Sequence, residues 1–161
     1  MQCKPAFYSS LAVILVSGSF ALAAPGAPGH SHGSSPVGQP GDPKKPARII
    51  NVTMKETEDG KMLFMPEKVA VRKGEQVKFV LKNAGAIDHE FVLDTVANNA
   101  KHKIEMEKNP DMEHDDPNAR RLAPNKNGEI VWRFTQAGEF EFACLIPGHY
   151  ESGMKGTVVV K

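Results

Sequence analysis

Near its C-terminus the chain reads Cys144-Leu145-Ile146-Pro147-Gly148-His149-Tyr150-Glu151-Ser152-Gly153-Met154, so a thiol, an imidazole and a thioether share one short segment with four residues in each gap. A second imidazole, His89, lies far upstream in Asp88-His89-Glu90-Phe91. A thiolate and two imidazoles in a plane, with a thioether on a weak axial bond, form the coordination set of a mononuclear type 1 copper site. Thiolate binds both Cu(I) and Cu(II), imidazole suits both states, and thioether favours the reduced ion. Taken singly, each residue has a blander use: cysteine as a small buried hydrophobe, histidine as a polar surface group, methionine as core filler. Together on one loop, with His89 arriving from elsewhere, they favour a metal. Zinc fits less well, because thioether is a poor zinc ligand and closed zinc sites draw on more cysteine or histidine. A dinuclear copper centre needs a second cysteine beside Cys144. Cys144 as a catalytic nucleophile with His149 as its base needs an orienting third group; none is evident, and no enzymatic activity is expected.

These side chains must be delivered by strands. From Arg48 onward, short runs of alternating apolar residues are separated by turn residues, a period of two rather than 3.6. Expected strands are 49–55, 68–72, 76–82, 89–94, 129–135, 139–144 and 156–161, with hairpin-type turns at Lys73-Gly74-Glu75 and Gln136-Ala137-Gly138. Seven or eight strands of this kind in about 110 residues predict an all-β sandwich of Greek-key type. Val77, Phe79 and Leu81 share one face, as do Ile130, Trp132 and Phe134, and these faces form the expected core. By the same parity Phe140, Phe142 and Cys144 point inward while Glu139 and Glu141 face water. His89 shares the inward face with Phe91 and Leu93, opposite Asp88, Glu90 and Asp94. The segment 95–127 breaks the β rhythm: Val96, Ala100 and Ile104 recur at helical spacing and Pro110 marks a stop. An insertion of that length in a small domain is more often functional than accidental. In it Met106, Met112 and His114 form a candidate second site for Cu(I), with His102 nearby. The competing reading is scattered polar and filler residues on a solvated loop.

The whole chain has 161 residues, 40% hydrophobic and 24% charged, which suits one domain. With 20 basic against 19 acidic side chains it carries no electrostatic footprint for nucleic acid or an anionic membrane surface. Lys4, the apolar run from Leu11 to Val16 and the exit Ala21-Leu22-Ala23 predict a secretory signal over residues 1–23. Residues 24–47, rich in proline, glycine and serine, read as a disordered linker carrying His30 and His32, which either catch a metal loosely or are simply polar. Loss of the signal removes Cys3 and leaves Cys144 alone in an exported, monomeric chain, where a lone thiol needs burial or a metal to protect it.

The entry segment Val69-Ala70-Val71-Arg72-Lys73-Gly74-Glu75-Gln76-Val77, the Asp88-His89-Glu90-Phe91 segment and the Cys144, His149, Met154 loop together resemble the cupredoxin family over residues 48–161. The likeness is greatest to its periplasmic copper-tolerance members, which share the Asp-His-Glu-Phe segment and a long charged insertion. The resemblance implies copper near one end of a Greek-key sandwich, held by His89, Cys144, His149 and Met154. It also implies a periplasmic role in copper tolerance, with one-electron transfer to a periplasmic redox protein as the alternative. Many electron-carrying members have asparagine after the first histidine, where this sequence has Glu90.

Overall fold

The computed structural model describes residues 35–110 and 116–161. Their strands are β1 (Gln39–Pro40), β2 (Arg48–Glu56), β3 (Met62–Met65), β4 (Lys68–Val71), β5 (Gln76–Asn83), β6 (His89–Asp94), β7 (Ala119–Leu122), β8 (Asn127–Arg133), β9 (Gly138–Ala143) and β10 (Lys155–Val160), with one helix, α1 (Val96–Lys108). They form two five-stranded sheets, β1-β8-β5-β2-β3 and β4-β10-β9-β6-β7. Each sheet contains one parallel pair, β2 with β5 and β4 with β10, and is otherwise antiparallel. The expected all-β sandwich with a helix-containing insertion is the fold observed.

The alternation of the sequence decides what lies between the sheets. Val77, Phe79 and Leu81 of β5 and Ile130 and Trp132 of β8 meet Phe91 and Leu93 of β6 and Phe140 and Phe142 of β9 in one buried cluster. Phe91 and Phe142 stack at 5.2 Å, and Phe64 of β3 packs edge-on to both, at 5.8 and 5.1 Å. Such pairs add to the roughly 1.5–3 kcal/mol that burial of each ring contributes. One end of this cluster is closed by Cys144 and Met154, so the chemistry sits on the rim of the core rather than on a mobile surface loop.

Four local expectations are corrected. The turns at 73–75 and 136–138 are not hairpins: β4 and β5 lie in different sheets, as do β8 and β9, so each turn carries the chain across the sandwich. Gly74, at φ 84°, makes the first crossing, with its amide donating to Phe134 O at 2.6 Å. The expected linker docks on the domain from Ser35: Val37 is buried, Trp132 Nε1 donates to Val37 O at 3.4 Å, and β1 pairs with β8. Trp132 offers an apolar surface and a buried N–H that both need a partner, which is the reason this stretch does not stay free. The other residues of the expected signal and linker, including His30 and His32, lie outside the described residues.

The third and fourth corrections concern Glu141 and Glu90, which lie on the side of the sheet where α1 packs. The helix starts at Thr95, whose side chain accepts from Asn98 N, and it turns Asn99 and Met106 inward while Val96 and Ile104 are exposed. The inward pair is seven residues apart, two turns on one face, and it packs on the outer side of the β6–β9 sheet. There Met106 joins Val92, Ala119, Ala143 and Leu145 in a second small core, with Tyr150 against it. Glu141, expected to face water, is therefore covered by the helix: Asn99 Nδ2 donates to its Oε1 at 3.0 Å and Tyr150 Oη to its Oε2 at 3.1 Å. Glu90, on the same outer side of its strand, is buried as well.

Candidate metal centre

Two strands and one loop bring the donors together. β6 begins with His89, whose inward parity buries its ring completely, and β9 hands Cys144 to the loop that follows it. That loop is closed on itself: Cys144 N donates to Met154 O and Met154 N to His149 O, both at 3.1 Å, and His149 N donates to Ile146 O at 3.0 Å. Ser152 ties back through its amide and hydroxyl to Gly148 O, at 3.1 and 2.8 Å. Met62 N of β3 reaches over to Ser152 O at 3.0 Å and anchors the loop to the opposite sheet.

The result is a tight triangle of ligand atoms. His89 Nδ1 and His149 Nδ1 are 3.3 Å apart, Cys144 Sγ and His149 Nδ1 are 3.3 Å apart, and the three donor atoms all lie within 4.8 Å of one another. Metal–nitrogen and metal–sulfur bonds of about 2.0–2.3 Å put the donors of one ion about 3–4 Å apart, so the spacing fits a single shared cation. Met154 is fully buried beside them, its backbone paired with both Cys144 and His149. His149 retains 8% exposure, which makes it the donor nearest to water.

The electrostatics point the same way. Burial lowers the pKa of both imidazoles, so each is neutral at pH 7 and has one nitrogen lone pair to offer. Burial pushes the Cys144 thiol up to about 12, with only partial relief from the Glu90 amide, which donates to Sγ at 3.2 Å. Without a cation, two imidazole nitrogens and a thiol are crowded together in an apolar rim, with only the protons they share among themselves to satisfy them. A soft or borderline cation satisfies all three, and the thiolate-imidazole set is the one that selects copper.

Around the triangle, Glu90 occupies the position where asparagine was expected of a carrier. Burial pushes its carboxyl up to about 7, against the pull of Arg121. The Glu90 backbone amide, donating to Cys144 Sγ at 3.2 Å, links the strand of His89 to the cysteine. Of the second-site candidates, Met106 is buried in the outer core, and an ion bound there would have to enter that apolar cluster. Met112 and His114 lie outside the described residues. Sequence reasoning missed Glu56, whose Oε1 is 3.0 Å from His89 Nε2. It ends a strand 33 positions upstream of His89, and only its register beside β5 brings it near.

Comparison with known proteins agrees with this geometry. Residues 51–161 match the model of the copper binding proteins of the plastocyanin/azurin family. The copper-resistant cuproprotein CopI of Rubrivivax gelatinosus is 48% identical over 161 residues, spanning 93% of this chain and 95% of the relative. Its namesake in Pseudomonas aeruginosa is 35% identical over 160 residues, spanning 81% of this chain and 85% of the relative. Among solved structures, auracyanin B superposes with a TM-score of 0.62 at 23% identity, over 80% of this chain and 99% of that one. Reduced auracyanin from Roseiflexus castenholzii superposes at 0.60 and 22% identity, over 73% and 99%. These structures share the fold, and the sequence matches extend to the family itself: the chain belongs to the plastocyanin/azurin family of copper-binding proteins.

Proposed function

We propose that this protein is an exported, monomeric copper-binding protein that protects the cell against excess copper, holding one ion in a type 1 site of His89, Cys144, His149 and Met154. The observation that carries the reading is the convergence of His89 Nδ1, His149 Nδ1 and Cys144 Sγ at the rim of the core. Cys144 and the two imidazoles would hold the ion as its strong donors, and Met154 would be the weak one. Copper in such a set supplies a reversible one-electron couple. The chain's own residues exclude water from the thiol, keep both imidazoles neutral and hold the loop closed without help from an ion. A site this pre-formed loses little conformational entropy on binding and so favours tight capture.

Tolerance is preferred over electron carriage because relatives covering nearly the whole chain are named for copper resistance. Those relatives are not named for a catalysed reaction. Export follows from the expected signal over residues 1–23. Growth of a deletion strain across copper concentrations, complemented by the wild type and by Cys144→Ala, tests the reading. Sensitivity to excess copper that only the wild type restores is the expected result. Normal growth in excess copper with poor respiration at ordinary copper would replace it with the carrier reading.

A further inference from the structure

The second nitrogen of His89 faces a carboxylate. Glu56, at the end of β2, places Oε1 3.0 Å from His89 Nε2. Its two oxygens are fixed by the loop that leads into His89: Ala86 N donates to Oε2 at 3.0 Å and Ile87 N to Oε1 at 3.2 Å. Gly85 makes this approach possible, since a Cβ there would stand 2.4 Å from Oε2 and 2.6 Å from Oε1. The buried Nε2 has no aligned hydrogen-bond partner among the described residues, and Oε1 of Glu56 is the charged oxygen in contact with it. The other acid beside the ring, Asp88, is engaged by Arg121, whose Nε lies 3.2 Å from Asp88 Oδ2.

We infer that Glu56 is a positioning residue for the copper site: it holds the His89 proton on Nε2, leaves Nδ1 free to bind the ion, and favours the oxidised state through its charge. The first part follows from the donor inventory of imidazole, because a neutral ring has one N–H and one lone pair. With a carboxylate at Nε2 and the His149 nitrogen at Nδ1, the proton belongs on the carboxylate side. A carboxylate behind a metal-bound imidazole makes that ring more basic, and loss of such a partner costs about 10- to 100-fold in metal affinity. The effect falls mainly on Cu(II), whose higher charge gains more from the added basicity and from the nearby negative charge. This second part rests on the copper reading proposed above, whereas the first does not.

Two measurements separate these parts. Long-range proton–nitrogen correlation spectra of the metal-free, nitrogen-15-labelled wild type read the His89 tautomer directly. A proton on Nε2 is expected, and a proton on Nδ1 overturns the inference whether or not the protein binds copper. The second is redox titration of the copper-loaded wild type and Glu56→Gln, which preserves shape and removes the charge, with Asp88→Asn as the control. A loss of Cu(II) over Cu(I) preference of about tenfold in Glu56→Gln is expected, a rise of about 59 mV for a one-electron couple. Asp88→Asn should move it less. An unchanged or lowered potential in Glu56→Gln overturns the charge assignment, while absence of any copper chromophore in the wild type would instead refute the copper reading.

Discussion

Replacing Asn83 by alanine tests how the loop that delivers His89 is held. Asn83 is fully buried at the end of β5, and its side chain makes three hydrogen bonds: Nδ2 donates to Ile87 O and to Leu122 O at 2.8 Å each, and Oδ1 accepts from Gly85 N at 2.9 Å. One amide thereby fastens the 84–88 loop to its own sheet and both to β7 of the opposite sheet. Alanine leaves Gly85 N and Leu122 O without these partners in the interior, while Ile87, which is exposed, can turn its carbonyl to water. At about 1–3 kcal/mol for each stranded buried group, the loss is about 3 kcal/mol, a large share of a typical domain stability. Urea unfolding of the metal-free protein, followed by the fluorescence of Trp132, the single tryptophan, measures it. Copper affinity should fall alongside, because His89 is no longer held in place before the ion arrives. Asn83→Asp should be worse than alanine at neutral pH, since it faces two carbonyl oxygens with a negative charge. A loss below about 1 kcal/mol in Asn83→Ala would refute the idea that this amide joins the sheets.

Other consequences are equally specific. Gly156→Ala should destabilise the fold by about 1–3 kcal/mol in thermal melts, because a Cβ there would stand 2.3 Å from the Phe142 ring and 2.6 Å from Glu67 O. Because the thiol is held up at about 12 by burial and both imidazoles are kept neutral by it, copper uptake at pH 7 should release one proton, from Cys144. The apparent affinity should then rise about tenfold per pH unit through neutrality, read by calorimetry in buffers of different ionisation enthalpy; uptake without proton release would contradict the buried thiol. Met154→Leu should keep the ion and raise its midpoint potential, since an axial thioether tunes the site more than it holds it; outright loss of copper would show the thioether to be a principal donor.

The inner core was legible because one periodicity governs it. Val77, Phe79, Leu81, Phe91, Phe140, Phe142 and Cys144 lie inside as alternation requires, and the same parity placed His89 facing Cys144. What alternation could not show is the outer layer. Glu90 and Glu141 read as solvent-facing because they oppose the core, yet both are buried, and α1 packs on that side of the sheet. The helix was legible from the spacing of Val96, Ala100 and Ile104, but not the face it buries, which is led by Asn99, a polar residue that bonds Glu141. Besides β1, two other short strands were missed. β3, Met62-Leu63-Phe64-Met65, is apolar without alternation, and β7 has two arginines in four residues, as suits an exposed sheet edge. Glu56 was invisible because nothing local links the end of β2 to His89; the contact exists only after parallel pairing with β5.

Titration of the metal-free protein with Cu(II), followed by visible absorption and electron-spin resonance, tests the central claim most directly. The geometry of His89, Cys144 and His149 requires saturation at one ion per chain, with an intense thiolate-to-Cu(II) band that vanishes in Cys144→Ala and is strongly weakened in His89→Ala and His149→Ala. The same visible spectrum in Cys144→Ala as in the wild type would contradict the account.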